Sequence, residues 1–279
     1  MRHNIKVMKK IYFILLSLTF LVATGCEGDE PPTSNPSGDV PTEEVPSIPE
    51  KPETPENSNN PEDSNIKPPV SIIPETPASG VENGYEYVDL GLPSGTLWAT
   101  KNIGAEKVVD SGDYFAWGET TAKTIYTWTY YKWGDGKDLL DVSLTKYCTS
   151  KSYGVVDEKT ALEMSDDVAR ANWGGAWRVP TSEEIDELFN NLYCKWQYSS
   201  LNGILITSKI NGNKIYLPYS GYKTYSNTKD SDLGYYWTSN INISLPMNAK
   251  IWLLTKSGSD TSLMHSRACG LTIRPVLSK

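Results

Sequence analysis

The pattern of apolar and polar residues predicts a C-terminal part built mainly from short β-strands. Alternating or short apolar runs bounded by glycine, proline and asparagine are typical of strands. The predicted strands are 85–90, 97–102, 114–117, 204–210, 214–217, 235–239, 250–255 and 271–276. Asn211-Gly212-Asn213 separates two of these runs and therefore predicts a β-hairpin.

Two helices are predicted among these strands. Thr181 and Glu184 form a capping box, which marks a helix start. The apolar stripe of that helix, at helical spacing, consists of Ile185, Leu188, Phe189 and Leu192. A shorter helix is predicted from Ser165, with Asp166 and Asp167 in its first turn and Val168 and Ala171 facing the core. Few helices and many short strands predict an α+β fold.

The N-terminus has a different pattern, because an apolar run at 11–22 follows basic residues without any acid. The basic residues are Arg2, Lys6, Lys9 and Lys10, and the small residues Ala23, Thr24 and Gly25 precede Cys26. This order predicts a signal peptide at residues 1–25. It resembles the lipobox of bacterial lipoproteins, which implies that Cys26 is acylated with chains such as palmitate. The acids after Cys26 resemble an outer-membrane export signal, so we expect a lipid anchor in the outer membrane, on the cell surface.

Composition changes near Tyr85 and divides the rest of the chain. The segment 26–84 holds 13 of the 18 prolines and no aromatic residue, and its net charge is −11. Such a segment cannot bury enough apolar surface to fold, so we predict a disordered tether. Residues 85–279 hold all nine tryptophans and carry a charge of only −1, so we predict one globular domain there. A near-neutral domain lacks the basic field of nucleic-acid binding.

Several motifs of the domain occur in a recognisable order. They are Asp89-Leu90-Gly91-Leu92-Pro93-Ser94-Gly95-Thr96-Leu97-Trp98-Ala99, Gly112-Asp113-Tyr114-Phe115-Ala116-Trp117-Gly118-Glu119, Trp177-Arg178-Val179-Pro180-Thr181, Gly234-Tyr235-Tyr236-Trp237-Thr238-Ser239 and Gly270-Leu271-Thr272-Ile273-Arg274-Pro275-Val276. Together they resemble the Fibrobacter succinogenes major paralogous domain of surface lipoproteins, and more distantly the C-type-lectin-like superfamily, which includes the formylglycine-generating enzyme. The resemblance implies a C-type-lectin-like fold: a twisted antiparallel sheet with two helices, long loops and chain ends close together.

The remaining cysteines and charged residues have structural and chemical interpretations. The resemblance implies a disulfide between Cys148 and Cys194, whereas buried free thiols are the open alternative. Asp166 and Asp167 either stabilise a helix N-terminus or hold calcium. Arg178 and Arg274 lie in apolar runs and are expected to form ion pairs or bind carbonyl groups.

Catalytic chemistry is sparse in the domain. His265 is the only histidine after the signal peptide and has no nucleophile motif around it, so we interpret it as a half-exposed structural residue. We therefore predict no enzyme activity, metal or cofactor, with a divergent enzyme of the formylglycine-generating-enzyme-like fold kept as an alternative.

Aromatic residues give the best functional indication. In an extended strand, Trp128 and Tyr130 would share one face, and Tyr131 and Trp133 the other. One face could stack on sugar rings, or all four could pack a loop-rich core. The leading hypothesis is a lipid-anchored, adhesin-like or glycan-contacting binding domain with a glycan, host or envelope protein as partner. The alternative is a structural subunit of an envelope complex.

Overall fold

A computed structural model describes residues 77–279. Cys26, the predicted signal peptide and most of the predicted tether lie outside the described residues. The described part is a mixed α and β fold with mostly antiparallel sheets, as expected for the α+β class. Its strands are β1 (Gly80–Glu82), β2 (Tyr85–Asp89), β3 (Leu97–Ala99), β4 (Cys194–Ser199), β5 (Gly203–Ser208), β6 (Lys214–Pro218), β7 (Tyr222–Thr224), β8 (Asn227–Lys229), β9 (Gly234–Ile241), β10 (Asn248–Thr255), β11 (Gly258–Asp260), β12 (Met264–Ser266) and β13 (Val276–Leu277).

The first and last strands of the described part belong to one sheet. Its order is β1-β2-β3-β13, and Val276 of β13 lies opposite Trp98 of β3. Within the described part, the first strand is therefore β1, which lies before the predicted boundary at Tyr85. The local reason is a hairpin turn, because Asn83 and Gly84 both have positive φ (49° and 85°), as a two-residue type I′ turn requires.

The other strands form two larger sheets and a separate hairpin. Strands β4, β5 and β6 form an antiparallel meander, whereas β10 pairs with β9, β11 and β12. Strands β7 and β8 form a separate two-stranded hairpin, which pairs with no other named strand of the described part. Two predicted strands, 114–117 and 271–276, are wrong as continuous strands. They approach each other only at an isolated bridge between Phe115 and Leu271, and then follow loops packed on the core.

Two short α-helices occur where the sequence predicts them, α1 (Val168–Trp173) and α2 (Ser182–Leu188). The capping box of α2 forms between Thr181 and Glu184 as predicted. The helix ends at Leu188, so Leu192 lies beyond it and is 75% exposed rather than part of the stripe. Helix α1 starts three residues later than predicted; Val168 is buried as predicted, but Ala171 is exposed and Ala169 is buried instead.

The core consists of three clusters dominated by large aromatic residues. Trp117, Trp177 and Trp237 belong to the first cluster, and Trp98 and Trp252 to the second. The third cluster gathers loop residues around Tyr126, Trp128, Tyr131 and Cys148. The third cluster is therefore formed by loops, whereas the strands and helices pack against the first two clusters.

Two arginines from the apolar runs have the predicted structural roles. Arg178 forms an ion pair with Glu184, with Nη1 and Oε2 2.7 Å apart. Arg274 is fully buried, and its guanidinium donates to Asn102 (2.8 Å) and to the carbonyl oxygens of Ala99 and Tyr216. Burial lowers the pKa of Arg274 to about 10, so the group still carries its charge at neutral pH. None of the helices in the described part has the length and apolarity that crossing a membrane requires.

Candidate functional site

The aromatic segment proposed as a ligand platform is not a strand. Residues Trp128–Tyr130 form a 3₁₀ turn, which has three residues per turn, so Trp128 and Tyr131 lie on the same side. Both are buried, and their rings meet edge to face with centroids 5.2 Å apart. Trp133 is half-buried, whereas Tyr130 is 63% exposed. The four predicted residues therefore do not form one exposed platform, and only Tyr130 displays its ring.

A buried arginine holds the inward side of this segment. Arg267 donates from Nε to the Tyr131 hydroxyl (2.8 Å) and from Nη1 to the carbonyl oxygens of Tyr147 and Pro246. Its guanidinium carbon also lies 4.9 Å from the centre of the Trp117 ring, within cation–π range. The Tyr131 hydroxyl in turn donates to the Trp117 carbonyl (2.7 Å), and burial raises the pKa of Tyr131. These contacts fix the buried side of the segment Trp128–Tyr131.

A buried glutamate orders the outward loop that carries Tyr130. Glu119 accepts from Lys123 Nζ (2.8 Å) and from the backbone N–H of Lys132 (2.8 Å), and so ties both ends of the loop together. The same Lys123 ammonium donates to the Tyr130 carbonyl at 2.9 Å. The Tyr130 ring is therefore presented by a loop whose backbone is held from two sides.

The hairpin β7–β8 lies beside this loop and adds a second exposed tyrosine. Tyr225 and Tyr126 exchange backbone hydrogen bonds, each 2.9 Å long. Tyr225 occupies the turn and is 65% exposed. Ile125, next to Tyr126, is 41% exposed. We name Ile125, Tyr130 and Tyr225 the tyrosine surface.

A second aromatic group lies on the other side of the same hairpin. The Tyr222 ring is 4.5 Å from His265 and 5.1 Å from Tyr235, between ring centroids. His265 lies in β12 and is half-buried, as predicted, but its Nδ1 is buried without a hydrogen-bond partner. Burial lowers the pKa of His265 to about 4, so the imidazole is neutral at neutral pH. A neutral ring without a bonded base or nucleophile suits packing more than proton transfer.

Asp166 and Asp167 are both occupied by donors from the protein. Asp167 caps α1 by accepting from the backbone N–H groups of Ala169 and Arg170, and it also binds Val179 N–H at 2.9 Å. Burial raises the pKa of Asp167. Asp166 pairs with Lys146 and accepts from the Tyr147 hydroxyl (2.7 Å). These contacts favour helix stabilisation over calcium binding. No group of three His, Cys, Asp or Glu within 77–279 is placed to hold a metal ion.

The disulfide implied between Cys148 and Cys194 is not formed. Both residues are buried free thiols, and they belong to different core clusters, the third and the second. Cys269 is a half-buried free thiol. Desolvation raises the pKa of Cys194 to about 11, which keeps this thiol protonated and unreactive. The cysteines therefore act as small apolar residues in the described part.

Three residues that shape the site were not identified from the sequence. Glu119 and Arg267 hold the loop through contacts between distant positions, for which the sequence gives no local signal. Tyr225 had a weak signal, since Tyr225-Ser226 separates two short runs, 222–224 and 227–229, that form the hairpin strands. The turn has no Asn-Gly pair, which is the usual mark of a two-residue hairpin.

The arrangement can bind by stacking and hydrogen bonding. Tyr130 and Tyr225 offer ring faces and hydroxyl groups to solvent, and the loop beneath them is fixed by Glu119. Comparisons with protein-family models, curated proteins and solved structures found no match to this chain.

Proposed function

We propose that the chain is a lipid-anchored cell-envelope protein whose folded part is a non-catalytic binding domain, of an adhesin-like or glycan-contacting kind. The observation that carries this proposal is the tyrosine surface. Tyr130 and Tyr225 are more than 60% exposed, in a domain that buries most of its other large aromatic side chains. Exposed tyrosine combines an apolar ring with a hydroxyl group, and this combination is enriched at binding surfaces.

The polar groups of the domain support binding rather than catalysis. Glu184 pairs with Arg178, Asp166 with Lys146, and Asp167 caps α1, so each of these carboxylates already serves the fold. Catalytic acids and bases need a free proton-transfer path to a substrate. These groups stabilise the scaffold that presents the tyrosine surface.

We also infer that the domain is C-type-lectin-like and related to the Fibrobacter succinogenes major paralogous domain. Support comes from the pairing of β13 with β3, which brings the two ends of the described part into one sheet, and from two short helices among long loops. The resemblance in sequence motifs adds to it, in particular 177–181 leading into α2. A fold alone does not specify a ligand.

The binding proposal is tested with the mature chain in detergent on arrays of glycans and host matrix proteins. We expect signal with a limited set of ligands, loss of that signal in Tyr130→Ser, and no loss in Leu192→Ser. Leu192 is the matched control, because it is an exposed large apolar residue at another site. Silence of the wild-type chain across both arrays contradicts the proposal, and a stoichiometric partner crosslinked in cells would instead favour an assembly role.

The anchor is tested separately, because Cys26 lies outside the described residues. Growth with a fatty-acid probe should label the wild-type chain and leave Cys26→Ala unlabelled. Protease treatment of intact cells should remove the domain from the surface. An unlabelled wild-type chain that is released to the medium contradicts lipid anchoring.

A further inference from the structure

The turn of hairpin β7–β8 holds Tyr225 in an unfavourable backbone conformation. Its φ is 51°, in the left-handed region that bulky side chains avoid. The turn has two central residues, Tyr225 and Ser226, and only the first has positive φ. This is the pattern of a type II′ turn, in which glycine is favoured at that position. A tyrosine here makes the turn less stable than glycine or asparagine would.

The Tyr225 side chain makes no stabilising contact in the described part that would offset this strain. The ring is 65% exposed and has no side-chain hydrogen bond, ion pair or ring contact within residues 77–279. The backbone of Tyr225 alone is bonded, to Tyr126. Strained residues without a structural reason are concentrated at functional sites.

The surroundings of Tyr225 indicate the chemistry of a ligand. The exposed neighbours along the chain of the three residues of the tyrosine surface include the hydroxyl and amide side chains of Thr124, Thr129, Ser226 and Asn227, together with one charged residue, Lys132. Isolated ring faces with a fringe of hydroxyls and amides match a sugar, which has an apolar C–H face and hydroxyl edges.

The charges near the surface point to an uncharged sugar. The ammonium of Lys123, which lies 5.7 Å from the Tyr126 ring, is already bound to the buried Glu119. The ammonium of Lys223 lies on the Tyr114 ring, 4.6 Å from its centre. Both of these cations therefore have a partner in the fold. Of the other lysines nearby, Lys132 pairs with Asp166 (3.5 Å), and exposed Lys229 is followed directly by exposed Asp230, so these groups leave no net positive charge for a carboxylate or sulfate group.

We infer that the tyrosine surface is a stacking site for neutral polysaccharide, in which the strained Tyr225 supplies a ring that binding requires. This inference rests on the proposed binding function and narrows it to one ligand class. It also makes a claim that is independent of any ligand: the conformation of Tyr225 lowers the stability of the domain.

The test uses the mature chain and native gels that contain hydroxyethylcellulose, xylan, galactomannan or polygalacturonate. We expect at least one neutral polymer to retard the wild type, with little dependence on salt. Tyr225→Asn should weaken that binding by about tenfold or more and raise Tm by about 2–4 °C. Tyr225→Phe keeps the ring and should bind like wild type. Leu192→Asn, which removes an exposed apolar side chain elsewhere, should change neither binding nor Tm by a comparable amount.

Each other outcome overturns a defined part of the inference. Retardation by polygalacturonate alone, lost in salt, overturns the neutral ligand. Unchanged binding of Tyr225→Asn overturns the role of this ring while leaving the binding function intact. A lower Tm in Tyr225→Asn overturns the strain. A wild type that is silent on the glycan and matrix arrays contradicts the proposed function itself, whereas one that binds there but is retarded by no neutral polymer overturns the neutral ligand alone.

Discussion

Two adjacent residues, Tyr130 and Tyr131, show how the domain separates packing from display. Tyr131 is 3% exposed, and its hydroxyl group bonds to Arg267 and to the Trp117 carbonyl. Tyr130 is 63% exposed and is bonded through its backbone alone: its N–H donates to the Thr127 carbonyl, and its carbonyl accepts from Lys123. The residue type is the same in both positions, so only the backbone distinguishes them. The 3₁₀ turn directs Tyr131 to the side of Trp128 and leaves Tyr130 outside.

The same contrast occurs in hairpin β7–β8. Tyr222 packs against His265 and Tyr235, whereas Tyr225 at the turn is exposed. In both elements, the inward tyrosine belongs to a fixed cluster and the outward one is free. Inward positions should therefore govern stability, and outward positions should govern binding. Substitutions at matched inward and outward sites can separate the two.

The largest expected effect is at Arg267, beneath the inward tyrosine. Arg267→Met removes a buried cation and leaves the carbonyls of Tyr147 and Pro246 and the Tyr131 hydroxyl without their donor. We expect the free energy of unfolding to fall by about 3–5 kcal/mol, because each buried acceptor left without its donor costs about 1–3 kcal/mol. Denaturation in urea measures it. The control, Arg170→Met, is only half-buried and should lose about 0.5 kcal/mol or less. Equal losses in both variants would contradict the anchoring role of Arg267.

A pH-dependent effect is expected at His265, in the inward cluster of the hairpin. Its pKa is about 4 in the folded domain, below the usual 6.5, because burial disfavours the charged imidazole. The unfolded chain therefore binds the extra proton between pH 6.5 and 4, and stability falls with decreasing pH over this window by up to about 1.4 kcal/mol per pH unit. His265→Phe keeps an aromatic ring without the proton. The gap between the two stability curves should change from pH 6.5 to 4 and stay constant above pH 7, and parallel curves throughout would show that His265 is not buried in its neutral form.

A smaller effect is expected from the hydroxyl group of Tyr131. Tyr131→Phe leaves the Arg267 Nε–H and the Trp117 carbonyl unpaired in the core. An unsatisfied buried polar group costs about 1–3 kcal/mol, so the midpoint of chemical unfolding should shift accordingly. The matched substitution Tyr130→Phe removes an exposed hydroxyl and should change stability by about 0.5 kcal/mol or less. If both phenylalanine variants are equally stable, the assignment of Tyr131 to the inward side is incorrect.

The sequence predicts the elements whose signals are local. The capping box of Thr181 and Glu184 and the alternation of the strands near the hairpin at Gly212 need only neighbouring residues, and the structure has both. Arg178 and Arg274 could be assigned because an arginine in an apolar run must find an acid or carbonyl partner.

The parts that the sequence does not predict depend on distant contacts. Arg267 bonds to acceptors at 131, 146, 147 and 246, which only the folded chain brings together. Alternation of aromatic residues is compatible with a strand or a turn, and packing of Trp128 on Tyr131 selects the turn. For the same reason, three cysteines in a sequence do not define a disulfide, since Cys148 and Cys194 belong to separate clusters.

The smallest effect on stability is expected at Tyr130. Its substitution should nevertheless have a large effect on binding. Tyr130→Ser removes an exposed ring that has no side-chain partner in the described part, so the free energy of unfolding should change by about 0.5 kcal/mol or less. Tyr131→Ser, in contrast, should lose several kcal/mol, because it empties a buried aromatic site. Unfolding in urea and gel retardation by the bound polysaccharide, measured on both variants, separate the two positions. A Tyr130→Ser variant that keeps wild-type retardation would remove Tyr130 from the binding surface and leave Tyr225 as its single aromatic contact.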